Sequence, residues 1–219
     1  MGSPLAKALQ NPDSMKARIL TAARGLFGEL GYSETTTRHI AKTVGIDIST
    51  LYYHWGEKRD LYEGVIGAIN EEILAQFREI ELRCRGASLK TRLEIALDVM
   101  CDYLFAHPEV ANLILSAYFR KADHDVLLDV NMDKYIGNIA VAMGLAAERE
   151  RVSIQARARI LALWNAVLNF ISGREFFRPM LGIDRTAYEA VVKETLKFIL
   201  VPAFTSAKDA ETPPGASAG

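Results

Sequence analysis

The chain of 219 residues lacks most of the sequence signals that enzymes carry. Its four histidines form no HExxH or ExxH pair, no glycine-rich nucleotide loop is present, and the charges around His107 and 123–125 lack metal-ligand spacing. The two cysteines, Cys84 and Cys101, show no CxxC spacing and are expected to be reduced thiols, at least one of them buried. We therefore expect no cofactor, no metal site and no redox switch.

Membrane and export signals are also missing. No apolar run approaches the ~20 residues that cross a bilayer, and the leading MGSPLAKALQNPDS lacks the apolar core of a signal peptide. We therefore expect a cytoplasmic protein with no membrane partner. The initial MGS is typical of an expression scar, and Met15 is an alternative start.

What the chain has is helical periodicity. Apolar residues recur at three- and four-residue steps, and no alternating β-branched run predicts a strand, so the predicted fold class is all-α. About nine helices are expected, at 15–30, 36–44, 47–55, 57–83, 89–106, 108–119, 125–148, 153–177 and 185–204. The predicted organisation is a disordered extension (1–14), a DNA-binding domain (15–60), a helical effector and dimerisation domain (61–204) and a disordered tail (205–219).

Two short helices with a tight turn lie within Thr36–Lys58, TTRHIAKTVGIDISTLYYHWGEK. Gly45 is placed where a helix ends in a left-handed residue, and Asp47 is a good N-cap for the second helix. Helices this short need a partner to pack on, and the amphipathic segment 19–30 supplies one. The pattern predicts a helix-turn-helix, whose second helix presents polar and aromatic side chains to DNA.

The run TTRxIAxxxGI, followed by TLYYHW and then Lys58, resembles the DNA-binding domain of the tetracycline-repressor (TetR) family, and ILTAARGLFGELGY resembles that family's first helix. The resemblance covers roughly residues 15–66, with Trp55 where most members carry Phe. It implies a regulator that binds duplex DNA as a homodimer on a palindromic operator, and repression is the family's usual mode. The net charge is +2 for residues 1–60 and −3 for the rest, which has the sign expected of a DNA-binding head, although the whole chain carries only −1.

Specific roles follow for the predicted reading surface. Arg38 is best placed to bind guanine, by resemblance, and Ile48 has a thymine methyl as its natural contact. Lys58 is expected to clamp a phosphate, and His54 to donate to one, because nothing beside it in sequence indicates a shifted pKa. The full set of expected DNA contacts is Thr36, Thr37, Arg38, Ile48, Ser49, Thr50, Tyr52, Tyr53, His54 and Lys58.

A symmetric dimer would let two heads read two half-sites. The last two predicted helices carry apolar residues around most of their circumference, which indicates burial on several sides. We expect an interface formed by Ile160, Val167, Leu168, Ile171, Tyr188, Val191, Val192, Leu196 and Ile199. A monomeric core helix is the alternative.

The resemblance also implies a cavity for a small, largely apolar effector in the later helices. These are rich in Met, Phe and Tyr, which suit such a wall but more often form plain core. The candidate lining is Phe77, Met100, Tyr103, Leu104, Tyr118, Tyr135, Asn138, Trp164 and Asn165. Two alternatives remain: a constitutive DNA-binding protein without an effector, and an all-helical enzyme.

Overall fold

The computed structural model describes residues 3–119 and 132–205. Every regular element in these two ranges is a helix, so the all-α prediction is confirmed. In chain order the helices are α1 (Pro4–Gln10), α2 (Met15–Glu34), α3 (Thr37–Val44), α4 (Ile48–Trp55), α5 (Lys58–Arg83), α6 (Leu89–Ala106), α7 (Pro108–Phe119), α8 (Met132–Ala142), α9 (Ile154–Ser172), α10 (Arg174–Leu181) and α11 (Arg185–Thr205).

The predicted count of about nine helices is wrong, because the described ranges contain eleven. One additional helix is α1, and the other is α10, which the sequence reading had joined to α9. Gly173 separates α9 from α10, and a left-handed Gly182 (φ 65°) ends α10. The predicted helix 125–148 is also too long, since α8 stops at Ala142 ahead of a positive-φ Gly144. The predicted start of that helix lies outside the described residues, as do residues 206–219 of the predicted tail.

Residues 1–14 were expected to be disordered, yet α1 lies within them. The Ser3 side chain accepts a hydrogen bond from the Ala6 amide at 3.1 Å, and Pro4 occupies the first turn, where its missing N–H costs nothing. Ala8 is buried at 2% exposure. Capping and one buried small residue therefore order a segment whose short periodicity is too weak to identify from sequence.

The chain packs as two compact units, Met1–Phe77 with Ala106–Met132, and Arg78–Phe105 with Asp133–Gly219. In the first unit, Ile19, Phe27 and Leu61 are fully buried. The Phe27 ring meets the Tyr62 ring edge-on, with 5.0 Å between centroids. The domain boundaries expected from the sequence stay a prediction.

Helices α2 and α7 approach each other closely within the first unit. A Cβ atom added at Gly28 would lie 2.4 Å from Glu109 Cβ and 2.9 Å from Glu109 Cα, so only glycine fits there. Beside this contact, Arg24 pairs with Glu109 at 2.8 Å and with Glu72 of α5 at 2.6 Å. Glycine thus permits the close packing, and one half-buried arginine ties α2 to both neighbours.

In the second unit, α11 packs through a fully buried Tyr188. Its hydroxyl donates to the Phe170 carbonyl of α9 at 2.7 Å, and its ring meets Phe105 of α6 edge-on. Lys197 pairs with Asp98 of α6 at 2.7 Å, and Lys193 pairs with Asp102. These contacts fix α11 against both α6 and α9.

Both cysteines are buried free thiols, in agreement with the sequence expectation. Burial raises the pKa of Cys101 to about 12, which keeps that thiol protonated at neutral pH. Across residues 3–119 and 132–205, no helix combines the length and apolar character needed to cross a membrane.

Candidate nucleic-acid interface

The turn between α3 and α4 has the geometry expected from its residues. Gly45 adopts a left-handed conformation (φ 78°), and its amide donates to the Ala41 and Lys42 carbonyls at 3.0 and 3.2 Å. The Asp47 carboxylate accepts from the Thr50 amide at 2.8 Å and caps α4. Hydrogen bonds from the Ser49 and Thr50 side chains and the Thr50 amide lower the pKa of Asp47, so it caps as a carboxylate at neutral pH.

One face of this helix pair is buried against α2. Ile40 and Leu51 are fully buried, and Ala41 and Trp55 are 3% and 4% exposed. The Trp55 indole N–H donates to the Lys16 carbonyl at 3.0 Å, a hydrogen bond that a phenylalanine at this position could not make. Burial of this face orients α4 with its opposite side to solvent.

The solvent side of α4 carries large side chains that nothing in the described chain covers. Ile48 is 39% exposed, Tyr52 45% and Tyr53 85%. All three residues belong to the predicted reading surface, whose role in DNA binding stays a prediction. Three exposed large side chains on one short helix form a candidate binding face.

The predicted contacts on α3 lie at its first turn. Thr36 caps the helix, with its hydroxyl oxygen accepting from the His39 amide at 3.1 Å. Thr37 is half-buried, and Arg38 is exposed with no ion pair among the described residues. The Ser49 and Thr50 hydroxyls both donate to the Asp47 carboxylate, so these two side chains are held in place by the cap.

Lys58 lies at the first position of α5 and is held by α2. Its ammonium group is 4.2 Å from the centre of the Tyr32 ring, and it donates to the Ser33 carbonyl at 3.4 Å. A lysine held in this way keeps its charge at a fixed place beside α4. Its role as a phosphate clamp stays a prediction.

His54 has an environment that the sequence did not reveal. Burial lowers its pKa, and the nearby Lys16 charge lowers it further, so the expectation of an unshifted pKa was wrong. Lys16 donates to the His54 carbonyl at 2.6 Å, across 38 positions of sequence. No local pattern connects two residues so far apart, so the contact of Lys16 with the last turn of α4 could not be predicted from the sequence.

The candidate effector residues are divided between the two units. Met100, Tyr103, Leu104 and Tyr135 are buried in the second unit, where Asn138, Trp164 and Asn165 are half-buried. Phe77 belongs to the first unit, and the side chain of Tyr118 lies outside the described part. The Asn165 amide group donates to the Leu161 carbonyl at 2.8 Å, whereas the buried Trp164 Nε1 has no hydrogen-bond partner in the second unit as described. The effector cavity stays a prediction.

Most residues predicted for a dimer interface are covered by the chain itself. Ile160, Val167, Leu168, Ile171, Tyr188, Val192 and Leu196 are 2% exposed or less, so they form the chain's own core rather than a contact surface. Val191 and Ile199 are 39% and 55% exposed. The same two helices also expose Leu161 (38%) and Phe198 (81%), which the sequence reading did not select.

The described ranges thus hold an all-helical fold in which the short helix α4 packs on α2 and exposes its other side to solvent. Residues 19–65 match the model of the family described as bacterial regulatory proteins, tetR family. This match over residues 19–65 confirms the resemblance found in the sequence.

Two curated transcriptional regulators are similar to part of this chain. The chain is 39% identical over 64 residues to the HTH-type transcriptional regulator UidR of Escherichia coli K12, covering 29% of this chain and 33% of that protein. It is 47% identical over 49 residues to IcaR of Staphylococcus aureus strain Newman, a negative transcriptional regulator of the biofilm operon icaADBC, covering 22% and 26%. The chain thus spans about a third or less of the length of the curated relatives it matches.

Two solved structures share the fold over nearly their whole length. A tetR-family transcriptional regulator from Streptomyces coelicolor superposes with a TM-score of 0.59 at 17% identity, covering 96% of this chain and 87% of that one. The regulator FadR from Bacillus subtilis, solved in complex with stearoyl-CoA, superposes with a TM-score of 0.57 at 17% identity, covering 82% and 96%. At this identity the likeness establishes a TetR-like fold alone.

Proposed function

We propose that the protein is a transcriptional regulator that binds duplex DNA through α3 and α4. The observation that carries this proposal is the solvent face of α4, where Ile48, Tyr52 and Tyr53 are exposed on a helix whose other side is fixed by Leu51 and Trp55. A helix of this diameter fits the major groove, and its first turn would contact base edges. Arg38 would add a guanine contact from α3, and Thr36 and Thr37 would bind the flanking phosphate.

We propose that the protein represses transcription and that it acts in the cytoplasm. The relative IcaR is named a negative regulator, and a head bound at an operator would exclude polymerase from the same DNA. A metal-dependent enzyme is the weaker alternative, because no group of three or more His, Cys, Asp or Glu residues within the described ranges could hold a metal ion.

In vitro selection from random duplex DNA tests this proposal. The purified protein should enrich a palindrome, because a symmetric dimer presents two identical heads. Failure to enrich any sequence over the input pool, with binding no tighter than that of a protein of equal charge, would contradict it.

We further propose that the second unit forms the dimer through α9 and α11. Val191, Phe198 and Ile199 lie on one helical face of α11, at steps of seven and eight residues, and Leu161 is exposed on α9. A phenylalanine that is 81% exposed is unfavourable in water and would be covered by the same face of a second copy. This surface replaces the largely buried set predicted from sequence.

We also propose that the second unit binds a small, largely apolar effector. The buried Trp164 Nε1 lacks a partner within that unit, and a buried donor without an acceptor is costly, so a polar atom of a ligand would satisfy it. FadR from Bacillus subtilis, which shares the fold, was solved with stearoyl-CoA. Long-chain acyl-CoA and free fatty acids are therefore the first ligands to test.

Tryptophan fluorescence distinguishes an effector-responsive regulator from a constitutive one. The chain has two tryptophans, so Trp55→Phe leaves Trp164 as the only tryptophan whose emission is followed. A ligand that shifts this emission and also releases DNA supports the proposal. No response to acyl-CoA, fatty acids or a broad aromatic library would favour the constitutive alternative.

A further inference from the structure

Helix α1 is anchored to the first unit and carries an exposed lysine. Ala8 is buried, and the Leu5 side chain comes within 2.7 Å of the place where a Cβ atom of Gly67 would lie. This packing leaves Lys7 on the exposed side of α1. The anchored helix therefore gives Lys7 a defined position instead of a place on a free chain end.

Lys16 places a positive charge at the C-terminal end of α4, and Lys7 carries a second one close to Lys16. The Lys16 ammonium group donates to the His54 carbonyl at 2.6 Å, in the last turn of that helix. The Lys7 charge lies near enough that it adds to burial in lowering the pKa of Lys16. Neither lysine has a carboxylate partner among the residues that the structure describes. Two neighbouring positive charges repel each other, so an anion bound from outside would lower their electrostatic free energy.

Duplex DNA offers such an anion at the right place. When the first turn of a recognition helix contacts base edges, its last turn lies nearer the sugar–phosphate strand that borders the groove. The Lys16 ammonium group donates one N–H to the His54 carbonyl, and within residues 3–119 and 132–205 no acceptor is found for its other two or for the three of Lys7. His54 has a lowered pKa and is neutral at pH 7, so it adds no positive charge to that of Lys7 and Lys16.

We propose that Lys7 and Lys16 form a second phosphate-binding surface, which extends the DNA contact of the head beyond the helix pair α3 and α4. The inference rests on the proposed DNA-binding function and deepens it, because it makes a segment outside residues 19–65 part of the interface. Such contacts carry no sequence information, so they raise affinity for every duplex equally.

Salt titration of the full chain tests this surface, with Lys7→Gln as the test and Lys90→Gln as the matched control. Lys90 is an exposed lysine of α6 in the second unit. Removing one phosphate contact should lower the slope of log affinity against log salt by about 0.9 per bound subunit. The affinity ratio of wild type to Lys7→Gln should therefore shrink about 3.5-fold per subunit between 50 and 200 mM salt, equally on selected and random duplex.

Lys7→Arg keeps the charge and should retain the wild-type slope. Phosphate ethylation interference on the selected site should lose one phosphate per half-site in Lys7→Gln only. If wild type and Lys90→Gln bind duplex DNA and Lys7→Gln matches them in slope and interference pattern, this inference is overturned and the proposed function stands. If the wild type itself fails to bind duplex DNA, the proposed function is overturned and the inference with it.

Discussion

Arg38 and Lys58 carry the same charge at the predicted surface but are held differently. Arg38 is exposed at the first turn of α3, and its planar guanidinium is suited to the two acceptors on guanine. Lys58 is held against the Tyr32 ring and the Ser33 carbonyl, which presents a compact charge from one fixed place. These two environments favour base reading by Arg38 and phosphate binding by Lys58.

The two roles predict different losses on substitution. Arg38→Ala should relax specificity at one base pair and weaken cognate binding by ~1–3 kcal/mol, with little change on random duplex. Lys58→Ala should weaken binding to all duplexes alike and lower the salt slope by ~1 per subunit. Anisotropy titrations on selected and random DNA measure both. Equal loss on the two DNAs for Arg38→Ala would contradict this assignment.

At the scale of a helix, α2 carries two glycines with opposite surroundings. Gly25 has open space where a Cβ atom would lie, whereas Gly28 faces the backbone and Cβ of Glu109. Helix propensity favours alanine at both positions, so any difference between them reports the contact of α2 with α7.

Gly28→Ala should destabilise the protein by ~1–3 kcal/mol, because the added methyl group forces α7 away from α2. Gly25→Ala is the matched control and should be neutral or stabilising by up to ~1 kcal/mol. Urea unfolding of both variants supplies the comparison. Equal stability of the two would show that α2 and α7 do not pack this closely.

Elements with strong local signals could be predicted from the sequence. Gly45 and Asp47 specify the turn between α3 and α4, Ser88 accepts from the Thr91 amide at 3.2 Å before α6, and Pro108 begins α7 as expected. Helix α1 and the break at Gly173 were missed, since each depends on tertiary packing or on a single residue within a continuous apolar pattern. Which apolar residues of α9 and α11 are exposed to solvent could not be predicted either, because both helices are apolar on several sides.

At the scale of the molecule, the proposed dimer makes DNA binding depend on α11. Phe198 and Ile199 are exposed in the second unit, while the reading surface belongs to the first. Two linked heads gain affinity because the second binding event becomes intramolecular. A substitution on α11 should therefore weaken DNA binding without contacting DNA.

Phe198→Asp should convert the protein to a monomer in sedimentation velocity and lower its affinity for the selected palindrome by 10²-fold or more. Tyr53→Ala is the reciprocal control, because Tyr53 is 85% exposed on α4. It should remain dimeric and lose DNA binding. A dimeric Phe198→Asp variant with full affinity would place the interface elsewhere.

Dimethyl sulfate protection on the selected site tests the central claim most directly, since the reagent methylates guanine N7 in the major groove and adenine N3 in the minor groove. With α4 of each subunit in a major groove, the account predicts two patches of protected guanine N7 whose centres are ~34–36 Å apart, on one face of the duplex. Protection confined to adenine N3, or one unpaired patch, would contradict the account.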